Sequence, residues 1–490
     1  MEATPQSQLT ASSRTTYGQG GPLRAVLTFA PALAAGLVLR LWMLKDLFLV
    51  NGDALVYGGL AKTLLYGHYE LTWVGGAPVP TLIRLPGYPI FLAISFKLFG
   101  IENYFGVALL QIALELLGCL LLAEFAGRVA PTELKSGARL ATLWLAALCP
   151  FTASYAVVPL AEAPTVFALA LALWAMARFH DRPGWSNALW FTFAVTFAAL
   201  LRPDGALAAA ALAPALVIAL GRGNAAAAIP PKRLMRMTLV CVLLALAPFA
   251  AWTWRNWQVF HVFQPLAPRL ATDPGEDTNP GWERWVKTWC LDFVSTYDIY
   301  WNVPDGPLDL RKLPSRAFDS PAQYAETTVL ADYYNKHGQD LTPEIDARFA
   351  RLAQERVAAH PLRYYLWLPL GRVADMWLRP RVENLNIDLD WWVYSHHRSE
   401  TRFSSAYAAL NLFYLALAAI GLMFRPRFWK AMLAYMVLRS AMLLTVEAPE
   451  ARYTLECFPM LFALGGIALY WVMNRVCLSV LKVKASATRA

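Results

Sequence analysis

Long apolar stretches dominate this chain, and nothing constrains its fold more. A helix crosses the ~30 Å hydrocarbon core with about 20 apolar residues, within a range of roughly 17–25. Stretches of that kind run over 24–45, 104–127, 138–157, 163–180, 205–221, 236–257, 404–424, 428–446 and 454–473. The stretch 187–201 is shorter, but Arg202-Pro203-Asp204 after it reads as a tight turn, so it counts as a further span. Composition agrees: 57% of the residues are hydrophobic and 16% charged, where a soluble domain carries about 25% charged residues. The fold class is therefore an all-α polytopic membrane protein. Five of the six cysteines (119, 149, 241, 457 and 477) lie in apolar segments, so no disulfide framework is expected.

Gly87–Phe99 is apolar but reaches only about 20 Å, too little to cross. Charge decides its placement. With this segment in the interface, one side of the membrane receives Arg14 and Arg24, then Arg128, Lys135 and Arg139, then Arg178, Arg182, Arg222, Lys232, Arg233 and Arg236. The same side takes Arg425, Arg427, Lys430, Arg475, Lys482, Lys484 and Arg489, while the opposite short connections hold far fewer: Lys45, Lys62, Arg84 and Lys97 in the first loop, then Arg202 and Arg452. That is a positive-inside pattern. It predicts ten spans with both termini cytoplasmic, and it accounts for the net charge of +9 without nucleic acid as a partner. The expected division is a tail over 1–23, a membrane module over 24–257 with its first external loop at 46–103, an external domain over 258–403, further spans over 404–475 and a second tail over 476–490. Within the external part, 361–378 carries an apolar face with Arg363, Arg372 and Arg379, as in a helix lying on the outer leaflet.

The first external loop opens with Asn51-Gly52-Asp53. An amphipathic run follows, with Tyr57, Leu60, Ala61, Leu64 and Leu65 on one face, ending at Gly67. Then come Thr72-Trp73-Val74-Gly75-Gly76 and Arg84-Leu85-Pro86-Gly87-Tyr88-Pro89. With this topology four polar groups share the outer face: Asp53 with Arg84, Glu162 at the turn between two spans, Arg202 with Asp204, and Arg255-Asn256 followed by His261 and Arg269. Charge beside membrane spans is expensive and marks function. Arginine offers bidentate recognition of phosphate, and a carboxylate can accept a proton from an attacking hydroxyl. Each residue also fits a plainer role. Asp53 suits a helix N-cap, Glu162 a first-turn acid favoured by the helix dipole, the arginines snorkelling, and Arg202 simple pairing with Asp204. His396-His397 has no third ligand at useful spacing. No HExxH, GxSxG or Walker A sequence is present.

The run from Asp53 through Tyr57, Ala61 and Leu64-Leu65-Tyr66-Gly67, with Arg84-Leu85-Pro86-Gly87-Tyr88-Pro89-Ile90-Phe91-Leu92 and Leu98-Phe99-Gly100, resembles the first external loop of GT-C glycosyltransferases. The nearest group is the protein O-mannosyltransferase-like one (glycosyltransferase family 39 type), to which the lipid A aminoarabinose transferase is related. Leu160-Ala161-Glu162-Ala163-Pro164, Leu201-Arg202-Pro203-Asp204-Gly205, Trp254-Arg255-Asn256-Trp257, Arg379-Pro380-Arg381-Val382-Glu383-Asn384 and Ala451-Arg452-Tyr453-Thr454 fall where that family carries similar motifs. The resemblance implies a GT-C fold with two juxtamembrane helices in the first loop, a polyprenyl-phosphate sugar donor and inverting transfer at the outer face. It implies Asp53 as the catalytic carboxylate, Glu162 as the second active-site acid, and Arg84 and Arg255 as donor-phosphate ligands. Tyr57, Tyr88, Arg202, Asp204, Asn256, His261 and Arg269 are the further site candidates. Asp53 is followed by Ala54 where the O-mannosyltransferases have an Asp-Glu pair, and their His-Pro-Pro is changed at Leu85-Pro86-Gly87. The acceptor is thus open among lipid, glycan and protein. A divalent cation is an open cofactor where acids converge, and the expected location is the bacterial inner membrane. A transporter or flippase for a lipid-linked sugar is the competing function; a non-catalytic scaffold using the Trp-rich 281–301 segment to bind glycans is the third.

Overall fold

The computed structural model describes residues 22–72, 76–221, 230–304, 306–390 and 397–487. Arg14, Trp73-Val74-Gly75, Arg222, His396 and Arg489 lie outside these ranges. Helix α1 (Pro22–Leu47) leads into the first loop, which folds as α2 (Asp53–Leu64), a short hairpin of β1 (Glu70–Thr72) and β2 (Pro78–Pro80), and α3 (Gly87–Phe99). The hairpin is antiparallel, with Leu71 opposite Val79. The expected juxtamembrane helices are therefore both present. Next is α4 (Tyr104–Val129), where the Asn103 side chain caps the first turn by accepting from the Gly106 N–H at 2.9 Å.

The stretch 138–157, expected as one span, is two helices, α5 (Lys135–Ala147) and α6 (Pro150–Ala156). Pro150 causes the break. It lacks an N–H and pushes the preceding residue out of the helical region, and Cys149 accordingly has ψ 112°. A helix end inside an apolar bundle leaves carbonyls that must find donors. Gln111 on α4 supplies them, donating to Ala156 O at 3.2 Å and Val158 O at 2.7 Å, while its own oxygen accepts from the Tyr88 hydroxyl at 2.7 Å.

The bundle continues with α7 (Glu162–Asp181), α8 (Trp185–Leu201), α9 (Ala206–Gly221) and α10 (Pro231–Phe260). Buried nearly throughout, α7 packs between α4 and α8 and forms the spine of the main core. The segment after α10 builds a separate core. There α11 (Pro280–Lys287) packs on α14 (Pro343–Ala359), with the short α12 (Phe293–Ser295) and α13 (Pro321–Lys336) beside them. Trp282 and Trp285 pack on Phe349 in this core, and Trp289 packs edge-on against Trp285. These three tryptophans of the 281–301 segment are thus structural, and only Trp301 of the four is substantially exposed.

The stretch 361–378 becomes a π-turn (Arg363–Trp367) followed by α15 (Leu368–Leu378), and Leu362, Tyr365, Trp367 and Leu370 stand exposed along it. Its arginines do not snorkel. Arg372 is buried and donates to Lys287 O and Cys290 O at 3.1 and 3.0 Å, and Arg363 clasps Asp319 with two 2.7 Å bonds. The chain closes with α16 (Arg398–Met423), α17 (Trp429–Leu443), a 3-10 segment (Ala451–Cys457) and α18 (Phe458–Ala487).

Among the described residues six helices are long and apolar enough to cross a membrane; the α5–α6 pair, α8, α9 and α17 are shorter and complete the bundle. The 20 residues of α7 span about 30 Å. At its far end Asp181 binds Arg128 at 3.0 Å and Arg427 at 2.5 Å, so loops expected to share one side of the membrane do share one end of the bundle. At its near end Glu162 enters a very different cluster.

Candidate active site

Asp53 is the first residue of α2, and the cap position belongs to Gly52, whose φ of 47° favours glycine. No side chain caps this helix, so the N-cap role read for Asp53 is not the one it plays. Its carboxylate instead takes one oxygen to Arg84 Nη2 at 2.9 Å and the other to Arg452 at 3.4 Å. Burial works against its charged form, but Arg452 and Arg84 outweigh that and hold Asp53 below the usual carboxylate range.

From Arg452 the ion pairs continue without a gap. Arg452 meets Glu450 at 2.5 Å and Glu162 at 3.6 Å. Glu162, only 3% exposed, accepts from Arg202 at 3.0 Å, so it is both a first-turn acid of α7 and a network member. Arg202 reaches Glu456 at 3.0 Å and Asp204 at 3.5 Å, and buried Arg439 joins the same two carboxylates. The Tyr453 ring lies 5.4 Å from the Arg202 guanidinium and 5.7 Å from that of Arg452, a cation–π contact with each. Buried charge survives in an apolar bundle only when paired this completely.

Two cavities meet at this network. The first, about 740 Å³, is lined by Asn51, Tyr155, Tyr297, Glu383 and Asn384 among others. The second, about 700 Å³, is lined by Tyr57, Arg84, Glu162, Arg202, Asp204 and Arg269, with Glu283, Tyr300 and Glu447 also on its walls. Asp53, Glu450, Arg452, Leu160 and Trp301 line both. Asp53 and Arg452 therefore stand on the partition. Arg84 uses Nη2 on Asp53 and Nη1 on Ile83 O at 3.3 Å, and a guanidinium with five N–H donors keeps others for a ligand.

Arg255, expected to hold a phosphate, lies at neither cavity. Its guanidinium donates to Thr81 O at 2.7 Å and Tyr69 O at 2.8 Å and sits among the rings of Tyr69, Trp252 and Phe260. Because the Tyr69 hydroxyl in turn donates to Arg84 O at 3.0 Å, Arg255 braces the loop that carries Arg84. Asn256 is buried and donates to Gln264 O, and His261 ends α10 in the left-handed conformation; neither lines a cavity. Tyr88 is buried on Gln111, edge-on to Tyr57, which lines the second cavity beneath Arg84. Arg269 binds Glu447 and Thr445 O.

Arg439, Glu450, Arg452 and Glu456 are the partners not placed in the site from sequence. A signal was there, since Arg439 interrupts an apolar stretch and Glu447, Glu450, Arg452 and Glu456 crowd the head of the last one. Among the described residues no three His, Cys, Asp or Glu side chains converge as metal ligands. Each carboxylate of the network already faces an arginine.

A family model described as dolichyl-phosphate-mannose-protein mannosyltransferase matches residues 80–254, which include Arg84, Glu162, Arg202 and Asp204 but neither Asp53 nor Arg452. The resemblance read from short motifs is therefore shown on a second ground. No curated protein matches. The Archaeoglobus fulgidus oligosaccharyltransferase tethered to an acceptor peptide matches 93% of this chain and 51% of its own, at 12% identity and TM-score 0.50. ArnT from Cupriavidus metallidurans bound to undecaprenyl phosphate matches 91% of this chain and 77% of its own, at 15% identity and TM-score 0.37. The chain spans about half the length of the oligosaccharyltransferase chains it matches. At 12% identity and TM-score 0.50 the likeness to the oligosaccharyltransferase is one of fold. The fold is the GT-C type, in a multi-pass membrane protein.

Proposed function

We propose that this chain is an integral membrane glycosyltransferase that moves a sugar from a polyprenyl-phosphate donor to a lipid, glycan or protein acceptor of the cell envelope, with inversion. The observation that carries the reading is the position of Asp53 on the partition between two cavities, bonded to two arginines. The matching family description, which names a dolichyl-phosphate sugar, supports the donor class. On this reading the donor phosphate enters the second cavity against Arg84 and Arg202, with Arg452 on the partition. On this reading Arg255, whose guanidinium donates to Thr81 O and Tyr69 O, braces the loop of Arg84 and takes no part in holding the phosphate.

The acceptor hydroxyl approaches from the first cavity. Its oxygen attacks the anomeric carbon on the face opposite the phosphate. The bond from that carbon to the phosphate oxygen breaks, and the electron pair leaves with the polyprenyl phosphate. The arginines stabilise the charge that develops there. Asp53, held low, is a weak base; it orients the hydroxyl and takes the proton as the new bond forms. Glu162 and Glu450 keep Arg202 and Arg452 in place, and a single displacement needs no sugar–enzyme intermediate.

The preference of basic loops for the cytoplasm supports a bacterial inner-membrane location with the site facing the periplasm, because Arg128 and Arg427 gather at the other end of α7. On that topology residues 24–257 form the membrane module and 258–403 the external domain. A flippase would place its polar site near the bilayer midplane, whereas this network sits at the end of a helix about 30 Å long. The test is Asp53→Asn in the full chain, assayed for transfer from polyprenyl-phosphate sugars and paired with lipid analysis of a deletion strain. Transfer is expected to fall at least about 10²-fold with folding retained. Undiminished transfer by the variant removes Asp53 from the mechanism, and an envelope that loses no sugar on deletion removes the transferase reading.

A further inference from the structure

The second cavity has a wall that the proposed chemistry does not use. Beyond α12 the chain makes a π-turn over Thr296–Tyr300, closed by Trp301 N–H donating to Thr296 O at 2.9 Å. Such turns are rare and recur at functional sites. This one is rigidly mounted. Asp292 caps its approach through the Ser295 N–H, Arg316 donates to Trp289 O and Ser295 Oγ, and buried Thr296 donates to Pro449 O at 3.0 Å. Pro449 immediately precedes Glu450, so the turn is fastened to the segment that carries Glu450 and Arg452.

The wide turn distributes its side chains between the two cavities. Tyr297 lines the first, Tyr300 the second, and Trp301, 47% exposed, lines both. In the second cavity the Tyr300 hydroxyl lies 3.2 and 3.1 Å from the two oxygens of Glu283. Glu447 lines the same wall, held by Lys287 at 3.3 Å and by Arg269. A carboxylate and a phenol supply paired acceptors and a donor for vicinal hydroxyls, and a half-exposed indole supplies a flat apolar face. Burial and the neighbouring Glu447 push Glu283 up to about 7, so near neutrality it offers a donor as well as acceptors. That combination of a flat apolar face with paired polar groups suits a neutral polyhydroxylated ring.

We infer that Tyr300, Glu283 and Trp301 form a sugar-binding subsite that reads the hydroxyls of a pyranose or furanose ring in the second cavity. The inference rests on the transferase reading for its place in a reaction, and not for its chemistry. The ring belongs either to the donor, whose phosphate the proposed function puts in this cavity, or to a glycan acceptor that extends past Trp301 from the first cavity, and the experiment separates the two.

The full chain in lipid nanodiscs is titrated with a panel of methyl hexosides and methyl pentosides, followed by saturation-transfer NMR. Tyr300→Phe, which deletes one hydroxyl, and Trp301→Ala are compared with the parent after thermal unfolding confirms that each folds. At least one glycoside is expected to bind the parent and to bind either variant about tenfold more weakly. Sugar-free undecaprenyl phosphate is expected to bind all three proteins alike. A polyprenyl phosphate carrying the selected sugar then serves as competitor. If it displaces the glycoside, the subsite reads the donor; if the glycoside stays, it reads the acceptor. Equal glycoside binding by both variants, or no glycoside bound by the parent, overturns the subsite. Glycoside binding without any transfer by the parent leaves the subsite standing and overturns the transferase reading alone.

Discussion

Gly87→Ala is a one-carbon test of how the site is assembled. Gly87 begins α3 where that helix crosses the last turn of α8. A Cβ built there lies 2.4 Å from both the carbonyl carbon and oxygen of Leu200 and 2.7 Å from Leu201 N. Comfortable carbon contacts begin near 3.5 Å, so the two backbones must part by about 1 Å, and no flexible side chain can absorb the clash. Alanine recovers up to about 1 kcal/mol of helix propensity, against about 1–3 kcal/mol for overpacking. The net is a modest destabilisation of roughly 1–2 kcal/mol.

The functional effect is larger because both strands of this contact carry the site. Arg84 lies just before Gly87 and holds Asp53 at 2.9 Å; Arg202 follows Leu201 and holds Glu162 at 3.0 Å. A displacement of about 1 Å in positioning costs on the order of 10²-fold in rate. The assay is transfer from a polyprenyl-phosphate sugar alongside thermal unfolding in detergent. Gly184→Ala is the control, since a Cβ there meets nothing within 4 Å. Gly87→Ala is expected to lose about 10²-fold in transfer with a small drop in midpoint, and Gly184→Ala neither. Wild-type transfer by Gly87→Ala would refute the idea that the α3–α8 contact sets the geometry.

Further predictions concern single charges. Arg452→Gln removes the strongest of the charges that hold Asp53 down; the Asp53 carboxyl should rise, moving the acid limb of the pH–rate profile to higher pH with it, and an unmoved limb would show that Asp53 does not govern that limb. Glu283 is held at about 7 against an ordinary 4.5, so the native state keeps a proton that the unfolded chain releases. Its ionisation lowers stability by about 3 kcal/mol as pH rises through that window. Glu283→Gln should flatten the fall in thermal midpoint between pH 5 and 8, and parallel curves for parent and variant would discard this account. Arg255→Lys should loosen the first loop, seen as faster proteolysis there, with donor KM within about twofold of the parent. Arg84→Lys should raise that KM about tenfold, and the reverse ranking would restore Arg255 as a phosphate ligand.

Periodicity and charge reached far into this fold because they report local rules. The positions of most long helices, the two helices of the first loop and the gathering of Arg128, Asp181 and Arg427 at one end follow from apolar length and from the placement of basic loops. The interruption at Pro150 was also written locally, but an apolar run on both sides hides a broken helix from any hydropathy reading. Site residues divide by what their side chains contact. Asp53, Arg84, Glu162, Arg202 and Asp204 were legible because each sits at a helix end beside a turn. Arg255 sits at such an end too, yet two carbonyls of a distant hairpin claim its guanidinium, and only tertiary structure places them there. The same holds for the tryptophans: spacing alone does not tell the three buried in the α11–α14 core from Trp301 at the partition.

The partition itself makes the two cavities communicate. Asp53 and Arg452 are wall to both, so an anion that draws Arg452 toward the second cavity also reshapes the first. Coupling of this kind is reciprocal: whatever one occupant does to the affinity of the other is returned in equal measure. On the proposed function, the spent phosphate carrier, while it lingers, resists or invites the next acceptor by the same pair of side chains.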